Sequence, residues 1–391
     1  MIRAYEYRLY PTNLQQQVLL RMLDLLRGLY NNFLRDRIEA YARGLKRISK
    51  YDQYHAVVGI RATWPAYKKI NGHVLIDVAK RLALAFDAFF RRAKAGEKPG
   101  FPRFKSSGQV HSFTFQDAGR RSGIGIVAGG KRVHIFGVGK IKIRIHRPIV
   151  GRIKTATVRL RQNGHWYVTF VCDEVPKNPL PLAGKTVGID VGITTFAALS
   201  DGTMIANPRV YERAQRELAI AQRRADRRKH GSNRRRKTVK LLAKKHDRIR
   251  RTRLDFHHKT ALDVVRKYDA IYVEKLNIAG LAQMRLSKQV LDAGWGQWIT
   301  ILASKAECAD REFLAVDPRG TSQECSSCGT VVKKSLSVRT HQCTNPLCLL
   351  VIDRDTNAAL NVKARGHRVR GEIANGPPLG SEKSTIATTE L

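Results

Sequence analysis

No run of about 18 apolar residues occurs anywhere in this 391-residue sequence, so a membrane-spanning helix is not expected. The opening MIRAYEYRLYP lacks the apolar core of a secretory leader, and neither a lipidation motif nor a basic amphipathic anchor is found. Cysteine is sparse: there are six, four of them in one cluster, which fits a reducing compartment better than a disulfide framework. Negative charge is scarce too, with 32 Asp and Glu against 72 Lys and Arg and a net charge of +40. An excess of that size calls for a polyanionic partner. Nucleic acid is the expected one, because neutralising phosphates releases counterions and supplies affinity without sequence information. An apolar content of 43% excludes a wholly disordered chain, and the length suggests two or three domains. A cytoplasmic nucleic-acid protein without a membrane partner is expected.

Along the chain, residues 2–10 read as a strand ended by Pro11, and Thr12 with Gln15 predicts a capping box. Leu14, Val18, Met22, Leu26, Leu29 and Phe33 then recur at helical spacing, with Gly44 as a stop. Val74, Val78, Leu82, Phe86 and Phe89 mark a second helix over 73–94. Residues 11–95 therefore read as a small helical module. Ile141, Ile143 and Ile145 alternate with Lys142, Arg144 and His146, the period of a half-buried strand. Asn163-Gly164 between two strand-like runs predicts a type I′ hairpin. Residues 106–175 thus read as an antiparallel sheet or small barrel, completed by the N-terminal strand, with a proline-rich linker over Lys177–Gly184.

Beyond the linker, Thr186–Asp190 and Thr195–Leu199 read as paired strands turned at Asp201-Gly202. Residues 209–259 hold 20 Lys and Arg against 5 Asp and Glu. The pattern is helical on both sides of His230–Asn233, with Leu218, Leu241, Leu242, Ile249 and Leu254 as an apolar seam. A basic helical hairpin lying along a nucleic-acid backbone is expected, rather than a loose tail. From Gly366 to Leu391 the composition predicts a disordered tail.

Cys325 and Cys328 form a C-x2-C pair, and Cys343 and Cys348 a looser C-x4-C pair. Two close thiol pairs suit the four tetrahedral ligands of a structural zinc ion. Gly329 falls where a knuckle needs positive φ, whereas Leu349 occupies the corresponding position of the second knuckle. Cys172 and Cys308 read as core thiols, and His341 as a neighbour rather than a ligand.

Three acids then draw attention. Asp190 lies in Val187-Gly188-Ile189-Asp190-Val191-Gly192, and Glu274 closes Ala270-Ile271-Tyr272-Val273-Glu274. A carboxylate at the end of an apolar strand is costly unless it meets a metal or a partner. Asp355 opens a helix read over Asn357–Ala364, where an N-cap role would be favoured for that residue alone, and Asp353 competes with it. Strand–Asp, strand–Glu and helix–Asp in chain order is the arrangement of an RNase H-like fold. Magnesium suits such a set, and a pair of ions there assists in-line displacement at a phosphodiester.

At EYRLYPT, GFPRFKSS, GIDVGI, YVEKLNI, DAGWG, DPRGTSQECSSCG and DRDTNAALN the chain resembles the TnpB family, insertion-sequence accessory proteins related to compact type V CRISPR effectors. These segments run from residue 6 to 361 in the family's order, departing slightly at Gly320 and Leu349. The resemblance implies an α/β multidomain protein. Its wedge β-barrel would span 1–10 and 106–180 and its recognition helices 11–105. A RuvC-like nuclease domain would occupy 181–365, including the basic hairpin at 209–259 and a zinc-binding insert at 317–352. It implies Asp190, Glu274 and Asp355 as catalytic, magnesium-binding residues. It further implies a guide RNA from the element's end, held in a basic channel, and double-stranded target DNA with a displaced strand. Cutting would occur next to a short motif, by a monomer associated with the prokaryotic nucleoid. Three other readings are weighed on sequence: an RNase H-like transposase acting without RNA, a guided binder that has lost cutting and acts as a repressor, and a simple zinc-stabilised nucleic-acid-binding protein.

Overall fold

A computed structural model describes residues 1–118, 123–127, 129–335 and 337–375, which divide into two compact units between Pro176 and Lys177. In the first unit, strand β1 (Arg3–Tyr10) leads into helices α1 (Asn13–Ala42), α2 (Lys50–Thr63), α3 (Pro65–Lys68) and α4 (Gly72–Lys94). Strands β2 (Ser112–Phe115), β3 (Ile124–Val127), β4 (Arg132–Ile135), β5 (Gly139–Ile143), β6 (Arg152–Leu160) and β7 (Trp166–Asp173) follow.

Helix α1 starts at the expected capping box: Gln15 N donates to Thr12 Oγ1 at 3.3 Å, and Thr12 N donates to Gln15 Oε1 at 3.1 Å. It stops where Gly44 takes φ +64° and Leu45 N reaches back to Ala40 O at 2.9 Å. Met22, Leu26, Leu29 and Phe33 are buried, but Leu14 is 71% exposed. Steps of four residues advance about 40° around a helix each time, so Leu14 points roughly 120° away from Leu26. The buried arc is completed by Leu19, Leu23 and Leu34 instead.

The sheet order is β2-β6-β7-β1-β5-β4-β3, antiparallel throughout, with β1 near the middle. Tyr5, Tyr7 and Leu9 alternate into the core, so the first strand of the chain is indispensable to a sheet otherwise built from residues after 111. The four helices are inserted between β1 and the rest, and share one hydrophobic core with the sheet. Two expectations need correction. Strand β5 ends at Ile143, three residues before the alternation does at His146. The turn at Asn163-Gly164 is not type I′: Gly164 N bonds Arg161 O at 2.8 Å, and of the two residues only Gly164 has positive φ. It is the three-residue hairpin that places a glycine in the left-handed region after a tight turn.

The second unit contains β8 (Thr186–Val191), β9 (Thr195–Leu199), β10 (Met204–Ala206), α5 (Val210–Asp226), α6 (Asn233–Lys267) and β11 (Ala270–Glu274). It continues with α7 (Ile278–Leu281), α8 (Ser287–Ala293), α9 (Trp295–Cys308), β12 (Glu312–Val316), β13 (Thr340–Gln342), β14 (Val351–Asp353) and α10 (Arg354–Asn375). The main sheet has the order β10-β9-β8-β11-β12, with β8, β11 and β12 parallel and β9 antiparallel to its neighbours. The linker is not loose in this unit. Asn178 N and Leu180 N donate to Cys308 O and Ala309 O, while Ala183 N and Gly184 N donate to the Asp269 carboxylate.

Helices α5 and α6 form the expected hairpin, with Gly231 at φ +80° and Ser232 capping α6 through Arg235 N at 3.1 Å. Leu218 and Ile249 are buried in its seam, but Leu241 is 46% exposed. Leu241 and Leu242 are 100° apart on one helix, and Leu242 is the one turned partly inward. The DAGWG segment fastens the base of this hairpin. The Asp292 carboxylate accepts from Tyr211 N at 2.8 Å and Glu212 N at 3.2 Å, capping α5, whose own Arg209 supplies no side-chain cap. Arg253 and His257 of α6 donate to Leu291 O at 2.8 Å and lie 2.9 Å from Ala293 O, respectively.

Helix α10 starts earlier and runs further than expected, from Arg354 through Gly366 to Asn375. Gly366 is no stop: a Cβ there would overlap the Tyr272 ring on β11, so the glycine permits close helix–sheet approach. The tail predicted as disordered from 366 is therefore helical as far as 375, and 376–391 lie outside the described residues. Among the described residues no helix is long and apolar enough to cross a membrane.

Candidate active site

Strands β8 and β11 run parallel in a register that pairs Ile189 with Val273. One step further along each strand come Asp190 and Glu274, which places two carboxylates side by side at the same end of the two central strands. Glu274 is buried and Asp190 half-buried. Burial, then the nearby charges of Glu274 and Asp355, push the Asp190 carboxyl well above the usual range, with Arg354 acting against them. Burial also raises Glu274, opposed by hydrogen bonding from Thr321, by the charge of Arg365 and by hydrogen bonding with Asp190.

Helix α10 brings the third acid. It lies on β8 because Gly188 has no side chain: a Cβ there would overlap Ala359 O and Lys363 N. Ala358, Ala359 and Val362 are buried along the helix. Asp353, not Asp355, is the N-cap. Its Oδ1 accepts from both Asp355 N and Thr356 N at 2.9 Å. Asp355, in the first helical turn, is thereby released from the capping role that its sequence position suggested. Its carboxylate is paired instead with Arg354 (Nη2–Oδ1 2.8 Å) and Arg339 (Nη1–Oδ2 3.6 Å). Arg339 comes from the cysteine lobe and also donates to Thr194 Oγ1 at 2.9 Å.

The four cysteines meet as their spacing predicts, with all Sγ atoms within 4.8 Å of one another. Cys325–Cys348 and Cys328–Cys343 stand 3.7 and 3.5 Å apart, close to the ~3.8 Å edge of a tetrahedron with ~2.3 Å metal–sulfur bonds. The four could hold a metal ion. Gly329 takes φ +78° at the first knuckle, and Leu349 adopts φ +52° at the second, where a non-glycine residue stores strain. The Thr330 hydroxyl, 3.3 Å from Cys328 Sγ, and the Thr330 backbone hold that thiol down at about 6, favouring the thiolate. His341 lies outside the cluster, its Nδ1 2.5 Å from Lys334 Nζ.

Sequence reasoning missed the residues that join this lobe to the acids. Asn357 donates to Glu324 O at 2.8 Å and accepts from Ser326 N at 2.9 Å, while Asn361 donates to Thr321 O and Glu324 O, both at 2.7 Å. Both asparagines are buried, so α10 grips the first knuckle through amides that have no alternative in solvent. Two asparagines four apart on an otherwise apolar helix face were the available signal. The buried Thr321 donates to Glu274 Oε1 at 2.6 Å. The three carboxylates carry oxygen donors of the kind that hard divalent cations take. Asp190 lies within electrostatic reach of both Glu274 and Asp355, in a site where burial penalises uncompensated charge.

Fold and site together define the class: an α/β protein with acids at neighbouring strand ends and a four-cysteine lobe placed just before the helix bearing the last acid. Residues 169–285 match a family model described as "Probable transposase", and 295–362 match the "Cas12f1-like, TNB domain". Residues 1–46 match a "Helix-turn-helix domain", although here they hold one strand and one long helix. A Streptomyces pristinaespiralis protein named as an RNA-guided DNA endonuclease is 31% identical over 371 residues, covering 93% of this chain and 89% of its own. A protein from Escherichia coli K12 with the same designation, InsQ, is 27% identical and covers 98% of both chains. The solved structure of a Cas12f1–sgRNA–target DNA complex shares the fold, with a TM-score of 0.55 at 15% identity, over 90% of this chain and 83% of that one. The chain belongs to the TnpB family of insertion-sequence proteins, relatives of the type V effectors.

Proposed function

We propose that this protein is an RNA-guided DNA endonuclease of a mobile element, with guide RNA and double-stranded target DNA as its partners. The observation that carries the reading is the convergence of Asp190, Glu274 and Asp355 from two parallel strands and one helix, directly beside the four-cysteine lobe. Relatives named as RNA-guided DNA endonucleases and a net charge of +40 support the same conclusion. The sheet order β10-β9-β8-β11-β12, with one antiparallel strand beside three parallel ones, supports a RuvC-like, RNase H-type nuclease domain over 181–365. Within it, 209–259 would be the basic hairpin and 317–352 the zinc-binding insert. The helices inserted after β1 support a recognition module over 11–105 within a wedge domain expected over 1–10 and 106–180, of which 177–180 pack on the second unit instead.

In this reading Asp190, Glu274 and Asp355 hold magnesium, and Cys325, Cys328, Cys343 and Cys348 hold zinc. When bound, magnesium at such a set supplies an activated water and neutralises the charge building on the phosphate. The chain's own part is to fix the donors. Strands β8 and β11 hold the first two acids in register, Asp353 caps the helix that carries the third, and Arg339 and Arg354 place positive charge beside them. Sequence selection falls to pairing between RNA and DNA, leaving the protein to read backbone shape and charge.

The test is to purify the protein from cells co-expressing its flanking genomic region and to sequence the bound RNA. A single enriched RNA whose 3′ part lies beyond the element, followed by programmed cleavage in Mg²⁺, is expected. Random or absent RNA, with end joining of bare DNA, would instead establish a transposase that works without a guide.

A further inference from the structure

Glu274 is oriented from outside its own strand. Thr321 belongs to the segment Asp317–Cys325, which connects β12 to the first cysteine knuckle. Its side chain is buried, with Oγ1 2.6 Å from Glu274 Oε1 and 3.0 Å from Pro318 O. The hydroxyl has one proton, and an ionised carboxylate takes it more strongly than an amide carbonyl. Thr321 therefore binds one oxygen of Glu274 and leaves the other for the acidic cluster.

The geometry of Thr321 is itself set from the lobe and from α10. Gly320 takes φ +74°, so the turn before Thr321 uses a conformation most side chains resist. Arg365 of α10 donates to Asp317 O at 2.8 Å and to Arg319 O at 2.7 Å, closing that turn. Asn361 donates to Thr321 O and to Glu324 O, one residue before Cys325. The hydroxyl that contacts Glu274 is thus carried on a backbone held at both ends by the helix that carries Asp355.

We propose that Thr321 is a positioning residue for Glu274, and that through it the four-cysteine lobe sets the second carboxylate as well as the third. This rests on the reading of Glu274 as a metal-holding acid. Groups that orient metal ligands from behind change metal affinity by about 10–100-fold when lost. A carboxylate free to rotate by about 1 Å changes rates on a similar scale.

The experiment uses the protein–RNA complex bound to a target whose scissile phosphates are replaced by phosphorothioates. Mn²⁺ binding is followed by electron paramagnetic resonance, alongside zinc content, melting temperature and target affinity. Cleavage of the ordinary target is measured in parallel across Mg²⁺ concentrations. Thr321→Val is expected to raise the half-saturating Mn²⁺ concentration about tenfold or more, and to shift the Mg²⁺ dependence of cleavage the same way. One zinc per chain and wild-type target affinity should remain, and Thr321→Ser should restore metal binding. Unchanged Mn²⁺ binding in Thr321→Val, or a Thr321→Ser as defective as Thr321→Val, would overturn the proposal. Zinc loss in both Thr321→Val and Thr321→Ala would make Thr321 a structural residue and overturn it too. If Glu274→Gln itself left Mn²⁺ binding untouched, the underlying reading of Glu274 would fall, an outcome distinct from failure at Thr321 alone.

Discussion

Asp353 Oδ1 accepts a hydrogen bond from the backbone N–H of Asp355 at 2.9 Å, and this separates the tasks of two acids only two positions apart. One terminates the strand and caps the helix. The other, one position into the helix, turns its carboxylate to Arg354 and Arg339 and towards Asp190.

Substitution of these two acids should therefore diverge. Asp355→Ala should abolish programmed cleavage and leave RNA-dependent target binding intact, as should Asp190→Ala and Glu274→Ala. Asp353→Ala should lose about 1 kcal/mol of stability and only part of the activity, and Asp353→Asn, which can still cap, should cut nearly as fast as the native protein. Denaturant melts and single-turnover cleavage read the two effects separately. An Asp353→Asn as inactive as Asp355→Ala would reverse the assignment.

Gly188 offers a test of how α10 is placed. A methyl group there must push the helix off β8, because it would overlap Ala359 O and Lys363 N. Gly188→Ala should cost about 1–3 kcal/mol, the range of overpacked cores, and should suppress cutting far more than nucleic-acid binding. Comparable losses in binding and cutting would mean that the helix position matters to the whole unit rather than to the acids.

Removal of the four-thiol site should disturb more than the lobe. Cys328→Ser, or prolonged chelation, should release about one zinc per chain, as measured by mass spectrometry of the metal. Faster amide exchange should then spread from 321–330 into the first turn of α10, following the Asn357 and Asn361 bonds. Full activity without bound zinc would contradict the structural role given to the cluster.

The raised carboxyls predict a pH dependence of stability. Asp190 and Glu274 titrate higher folded than unfolded, so between the two values the folded state holds more protons. Their contribution is intact below the unfolded values near 4 and declines as pH rises through the folded ones. Without divalent ions, Asp190→Asn and Glu274→Gln should therefore be more stable than the native protein at pH 7, with the difference vanishing below about pH 4. Added Mg²⁺ should stabilise the native protein more than either variant. Melting temperatures across pH, with chelator and with Mg²⁺, measure both differences.

Much of the site was legible in the residues because its signals are local. Cysteine spacing fixes which thiols can share one ion, and an acid at the end of an apolar run marks a charge that must be compensated. The capping box at Thr12 and Gln15 and the stop at Gly44 are likewise read within a few residues. Errors arose where the outcome depended on direction around an axis, as at Leu14 and Leu241, or on a neighbour distant in sequence, as at Gly366.

Sequence by itself singled out the three acids and the four thiols as candidates, along with the basic character of the hairpin and most of the strands and helices. Only the tertiary structure decided which aspartate caps the last helix and why Gly188 and Gly366 lack side chains. It alone joined Asn357, Asn361 and Thr321 to the cysteine lobe and to Glu274. The reason is physical: caps, thiol pairs and strand ends are set by neighbours along the chain. Helix-to-sheet approach and the hydrogen bond between Thr321 and Glu274, 47 residues apart, exist only once β8, β11 and α10 have packed.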